Sequence, residues 1–148
     1  MRAVLSIGSN MAESKQLLYT VFDEFAKETI AHSSIHLTAP WGVTDQADFL
    51  NAVLIVEVAE GPYALLRRCQ KLEQNAHRVR ERRWGPRTLD VDIVQIEGVT
   101  SNDPVLLLPH PWAHQRAFVL APWLEADPTA KLGQESVEKL LNDVIKEA

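Results

Sequence analysis

Residues 78 to 92 read RVRERRWGPRTLDVD: five arginines, a tryptophan and a Gly-Pro turn run into two aspartates separated by one apolar residue. Side chains alternate along a strand, so Asp90 and Asp92 emerge on one face, their backbones roughly 6.5–7 Å apart. Leu89, Val91 and Ile93 then point the other way, into a core. Two carboxylates aimed at one spot repel each other unless a cation or a proton lies between them. The neighbouring arginines could supply that charge, and a hard divalent metal with oxygen ligands fits equally well. Carboxylates for Mg²⁺ beside arginines for phosphate oxygens form the equipment of phosphoryl transfer. The plainer alternative is an exposed edge strand with solvated aspartates and surface ion pairs. Charge distribution argues against it. The chain carries a net −5, yet eight of its 15 Lys and Arg fall between Arg67 and Arg87. Positive potential concentrated against the global trend collects anions.

Elements that could hold such a face follow from the hydrophobic periodicity. Ala3, Leu5 and Ile7 alternate with smaller or polar residues, which predicts a first strand. Leu17, Leu18, Val21, Phe22 and Phe25 recur at helical spacing. Ile35 and Leu37 mark a second strand, and Leu50 to Val58 a third, apolar enough on both faces to be central. Gly61-Pro62 breaks the chain and starts a helix, with a stripe of Leu65, Cys69, Leu72 and Ala76. Leu89 to Ile96 is a fourth strand. Gln115–Leu124 and Ser136–Lys146 read as two further helices. The order βαββαβ predicts an α+β chain with a ferredoxin-like antiparallel sheet and helices packed on a face of it. No linker or repeat interrupts residues 1–148, so one domain is expected.

Several blocks resemble one family. RWGPRTLDVDI (83–93) is similar to the signature of the 6-hydroxymethyl-7,8-dihydropterin pyrophosphokinases, enzymes of folate biosynthesis. IGSN (7–10), TAPWGVTDQADFLNA (38–52), QKLEQ (70–74) and LPHPWAHQRAFVLAPW (108–123) occur in that family's order and spacing. The resemblance implies transfer of diphosphate from ATP to the pterin's hydroxymethyl group, with AMP released. It implies two Mg²⁺ ions held by Asp90 and Asp92, phosphate contacts from Arg78 and Arg87, and Arg80 and Trp84 on a mobile loop closing over the substrates. Gln70, Glu73, His110 and Arg116 match nucleotide-binding positions. Gly8, Thr38, Pro40, Trp41, Phe49, Asn51 and Phe118 match the pterin site, to which Trp84 and Asp90 also belong.

The residues themselves support part of this. There is no G-x-x-x-x-G-K-[ST], so side chains and metal must hold the phosphates. Taken alone, Gly8-Ser9-Asn10 is a strand-to-helix turn with a capping side chain, and Phe49 and Phe118 are core residues. Asn51 stands apart, because an amide inside an apolar strand demands partners. Phe49 and Asn51, two apart, share a strand face. Gln70 and Glu73, three apart, share a helix face. His110 could be a packed loop histidine. Pro111 and Trp112 depart from the family pattern, standing where other members often carry an aromatic or basic residue that contacts ATP.

No apolar run is long enough to span a bilayer, and nothing marks the chain for export. One cysteine, Cys69, cannot form an internal disulfide, which fits a reducing compartment; a cytoplasmic enzyme is expected. The acidic balance argues against nucleic acid as a partner, and no RNA-binding strand motif of the K/R-G-F/Y type is present. A noncatalytic nucleotide-sensing domain would have no need of the aspartate pair. The expected partners are therefore small molecules, bound by a monomer with neither a membrane anchor nor a fused folate-pathway domain.

Overall fold

Strand β1 (Arg2–Ser9) is buried along almost its whole length because it lies inside a sheet with partners on both edges. The computed structural model describes residues 1–10, 14–38, 49–81 and 89–147, with 78–81 described by backbone alone. The other strands of this sheet are β2 (Thr29–His32), β3 (His36–Thr38), β4 (Phe49–Glu57) and β5 (Asp90–Ile96). They run in the order β2-β4-β1-β5, β3 also pairing with β4, and every pairing is antiparallel. β4 is internal, as its two apolar faces require. The second predicted strand, marked by Ile35 and Leu37, is β3; the strand before it, β2 (TIAH), is not predicted, because it is only four residues long and alternates too weakly for periodicity to reveal it.

Helix α1 (Ser14–Glu24) and helix α2 (Pro62–Glu81) cover one face of the sheet. Leu18 and Val21 from the first, Phe25 just after it, and Leu65, Cys69 and Ala76 from the second pack on Leu5, Ile7, Leu54, Val56, Val91 and Ile93. Cys69 is packing material, and burial pushes its thiol up to about 12. The opposite face carries Val4, Val53, Ile55 and Val94, covered by α3 (Ala117–Ala126) and α4 (Val137–Glu147) through Val119, Leu120, Trp123, Val137 and Leu140. The expectation of helices on a single face is thus corrected: a sheet apolar on both sides must be covered on both. Among the described residues there are also two hairpins, β6 (Ser101–Asp103) with β7 (Leu106–Leu108) and β8 (Lys131–Leu132) with β9 (Glu135–Ser136), and a short 3-10 turn at Ala113–Gln115.

Arg68, one of the eight cations of the basic stretch, is not available to an anion. Its guanidinium contacts Glu24 at 3.1 Å, Glu28 at 2.7 Å and Glu60 at 2.8 Å, and it lies 4.3 Å from the ring centroid of Phe25. The hydrogen bond from Arg68 is the main cause that holds the Glu60 carboxyl below its ordinary range. A carboxyl with a depressed folded pKa stabilises the fold above its unfolded pKa of about 4.3, and that contribution is lost as pH falls through the folded value. Arg68→Met is expected to cost about 1–2 kcal/mol at pH 7, after discounting for partial exposure. The difference in melting temperature should narrow in melts repeated near pH 3.5. An equal gap at both pH values would assign the loss to packing on Phe25 instead.

Candidate active site

Alternation on β5 does what its pattern predicts. Leu89, Val91 and Ile93 are buried, Asp92 is half-buried and Asp90 exposed. The register carries this across the sheet: Asp90 lies beside Gly8, which lies beside Asn51, and Asp92 lies beside Ser6, which lies beside Val53. These two rows share the face covered by α3 and α4, at the end where that cover gives out. Glu73 reaches from α2 to the strand, its Oε2 accepting the Val91 backbone N–H at 2.9 Å. The amide between the two aspartates is therefore anchored to a helix.

Two cavities meet at this face. The smaller, of about 270 Å³, is floored by Ser6, Gly8 and Asn51 and walled by Thr38, Phe49 and Phe118. Phe49 and Phe118 are 36% and 39% exposed, so neither is the core residue that each would be if read alone. The Asn51 amide is oriented by donating Nδ2–H to Thr38 Oγ1 at 3.1 Å. A Cβ at position 8 would come within 2.8 Å of Asn51 Oδ1, so glycine lets that oxygen lie over β1. The larger cavity, of about 440 Å³, lies between α2, β5, the β6–β7 hairpin and the loop at 110–112. Its polar side chains include Gln70, Glu73 and His110, and its apolar walls Leu66, Ile93, Val105, Leu107 and Trp112. Tyr63 braces the hairpin, its hydroxyl donating to Asp103 Oδ2 at 2.5 Å. Asp90, Asp92 and Arg116 line both cavities.

Both signs of charge meet at the junction, Asp90 and Asp92 with Arg116. Burial is the first cause lowering the His110 pKa, and the Arg116 charge adds to it against the opposing pull of Asp92. His110 Nδ1 accepts the Trp112 backbone N–H at 3.2 Å. A neutral ring that accepts at Nδ1 carries its proton on Nε2, as a donor. The Arg116 guanidinium carbon lies 5.5 Å from the Phe118 ring centroid, so cation and aromatic wall form one unit. Two carboxylates from one strand fit Mg²⁺, which takes one or two protein carboxylates and completes its shell with phosphate oxygens and water. No cluster of three or more metal-ligating side chains exists among the described residues.

Of the residues singled out by sequence, Gly8, Thr38, Phe49, Asn51, Asp90, Asp92 and Phe118 come together at the smaller cavity. Gln70, Glu73, His110 and Arg116 come together at the larger. Pro40, Trp41, Trp84 and Arg87 lie outside the described residues, and Arg78 and Arg80 are placed only as backbone at the end of α2. Sequence reasoning missed Ser6, although it is two residues before Gly8 and so on the same strand face. It also missed the apolar wall from the β6–β7 hairpin, whose three-residue strands are too short for a periodic signal.

A model of the 7,8-dihydro-6-hydroxymethylpterin-pyrophosphokinase (HPPK) family matches residues 4–128. The 2-amino-4-hydroxy-6-hydroxymethyldihydropteridine pyrophosphokinase of Mycobacterium tuberculosis is 46% identical over 141 residues, covering 88% of this chain and 75% of that one. Its counterpart from Methylorubrum extorquens is 40% identical over 144 residues, covering 95% and 91%. Among solved structures, Plasmodium falciparum HPPK-DHPS with SDX-DHP superposes with a TM-score of 0.72 at 12% identity, a likeness of fold alone. That comparison covers 99% of this chain, which spans only 46% of the Plasmodium one. No described helix is long and apolar enough to cross a membrane. With a match from residue 4 to residue 128 and relatives this similar along most of their length, the chain belongs to the HPPK family and is a folate-biosynthesis enzyme that transfers diphosphate from ATP to 6-hydroxymethyl-7,8-dihydropterin, releasing AMP.

Proposed function

We propose that the smaller cavity binds the pterin, the larger binds ATP, and transfer takes place at the face they share. The observation that carries this reading is the position of Asp90, Asp92 and Arg116, which line both cavities. Phe49 and Phe118 hold the flat ring between them, and Asn51, oriented by Thr38, hydrogen-bonds its amide-like edge. The hydroxymethyl oxygen is thereby aimed at the β-phosphorus of an ATP lying along α2 and the β6–β7 hairpin. Asp90 and Asp92 would hold two Mg²⁺ ions, which would neutralise charge on the phosphate oxygens. Arg116 and the neutral His110 donate to phosphate oxygens, Gln70 and Glu73 border the nucleotide, and Glu73 also steadies β5. The segment RVRERRWGPRTLDVD (78–92) supports further phosphate contacts from Arg78 and Arg87 and nucleotide contacts from Arg80 and Trp84. It also supports Pro40 and Trp41, of the TAPW block, as pterin contacts. Transfer of this kind is governed by positioning and charge stabilisation.

The strand order β2-β4-β1-β5 supports naming the fold ferredoxin-like, and the shared sheet supports one pyrophosphokinase domain over residues 1–148. Two cavities of this size suit small-molecule substrates. A lone cysteine held as a buried thiol is in keeping with the cytoplasm. The direct test is AMP formation by the purified protein from ATP, Mg²⁺ and hydroxymethyldihydropterin; no AMP under these conditions rejects the proposal. The same preparation tests the cavity assignment. Phe118→Ala is expected to weaken pterin binding by about 1–3 kcal/mol through lost stacking and burial, with ATP affinity little changed. Calorimetric titration with each ligand separately would show it. Equal losses for both would mean that the ring supports the fold and not the pterin.

A further inference from the structure

Among the described residues, five polar side chains are deeply buried: Ser6, Ser9, Ser14, Ser33 and Asn51. Four of them have partners. Ser14 Oγ donates to Ser9 Oγ at 3.0 Å, and Asn51 donates to Thr38. Ser33 Oγ donates to the Ser34 carbonyl at 2.7 Å and accepts the Val53 N–H at 2.9 Å. The Ser6 hydroxyl, on a residue only 6% exposed, has no side-chain hydrogen bond among the described residues. A buried hydroxyl without a partner is costly, and one that persists calls for an explanation.

Its location offers one. Ser6 lines the smaller cavity. In register it stands between Val53 on β4 and Asp92 on β5, one row inward from the row of Asn51, Gly8 and Asp90. A plate-like ligand that reaches from the amide on β4 to the carboxylates on β5 must cross β1. Gly8 presents no side chain there, so the Ser6 hydroxyl is the polar side chain of β1 beneath such a plate. A hydroxyl can both donate and accept, and the edge of a reduced pterin carries ring nitrogens and N–H groups of both kinds.

We propose that Ser6 is a substrate-positioning residue whose hydroxyl hydrogen-bonds the edge of the pterin ring between its amide end and its hydroxymethyl end. This rests on the assignment of the smaller cavity to the pterin. Ser6 sets the height and tilt of the plate over β1, while Asn51 sets its direction. The bond is made on binding, so it contributes to affinity and leaves the ligand-free fold unaided.

The test compares the parent with Ser6→Ala, which removes the hydroxyl without adding bulk. Pterin affinity by calorimetric titration should fall roughly tenfold, as for loss of one hydrogen bond, and KM for the pterin should rise in step. Affinity for Mg²⁺-ATP should stay the same. The melting temperature without ligand should be unchanged or higher, because the variant no longer buries an unpartnered hydroxyl. Pterin affinity equal to the parent's would overturn the proposal. So would a fall in melting temperature with parallel losses for both ligands, which would make the hydroxyl structural. Pterin affinity unchanged in Phe118→Ala as well as in Ser6→Ala would instead overturn the cavity assignment beneath it, whereas a loss in Phe118→Ala alone would overturn only the role of Ser6.

Discussion

Asp92→Asn is expected to lower turnover by about a thousandfold or more while the melting temperature stays within a few degrees of the parent's. Asparagine keeps the shape of the side chain and removes its charge. Asp92 is half-buried at the junction of the two cavities, on a strand whose opposite face is packed in the core. Its backbone neighbour Val91 is tied to Glu73, so the strand keeps its course in the variant. What is lost is an anionic oxygen for a hard cation that binds through charge. Steady-state AMP formation measured across a range of Mg²⁺ concentrations is the decisive experiment. Excess Mg²⁺ should restore only a small part of the rate. Turnover within tenfold of the parent would remove Asp92 from the metal site. Asp90→Asn should behave alike, and the double variant should lose much less than the product of the two single losses, because ligands of one site act as a unit.

The aspartate pair was legible because strand alternation is local: a period of two places Asp90 and Asp92 on one face whatever the rest of the chain does. The same reasoning paired Phe49 with Asn51. Arg68 shows the limit. It belongs to a basic stretch by sequence, but its partners Glu24, Glu28 and Glu60 stand 44, 40 and 8 residues away. Only tertiary structure brings them together. Ser6 was hidden for a different reason. Central strands are buried on both faces, so alternation along β1 does not tell a cavity-facing serine from a small residue packed in a core. The two-sided cover of the sheet was implicit in the apolar residues on both faces of β4, which α1 and α2 alone cannot bury. The wall formed by Val105 and Leu107 had no readable signal, since β6 and β7 are three residues each and take their place from Tyr63 and Asp103.

Arg116→Met is expected to lower the rate of chemistry by about a hundredfold and to weaken ATP binding, with pterin affinity changed by much less. The backbone at this position is pinned independently of the side chain. Its N–H donates to the Ala113 carbonyl at 3.2 Å, and its carbonyl accepts the N–H groups of Val119 and Leu120 at 2.9 and 3.0 Å. Methionine has comparable length and no charge, so α3 should start where it does in the parent, and Phe118 should keep its wall. Arg116 lines both cavities, as Asp90 and Asp92 do, and its planar fork can hold two phosphate oxygens at once. Lysine keeps the charge without the fork, so Arg116→Lys should recover part of the rate and not all of it. Single-turnover kinetics with a separate nucleotide titration would resolve the two effects. Full recovery in the lysine variant would reduce the role of Arg116 to charge alone. A methionine variant that lost pterin affinity and kept its single-turnover rate would move Arg116 out of the phosphate site and into the aromatic wall, as a support for Phe118.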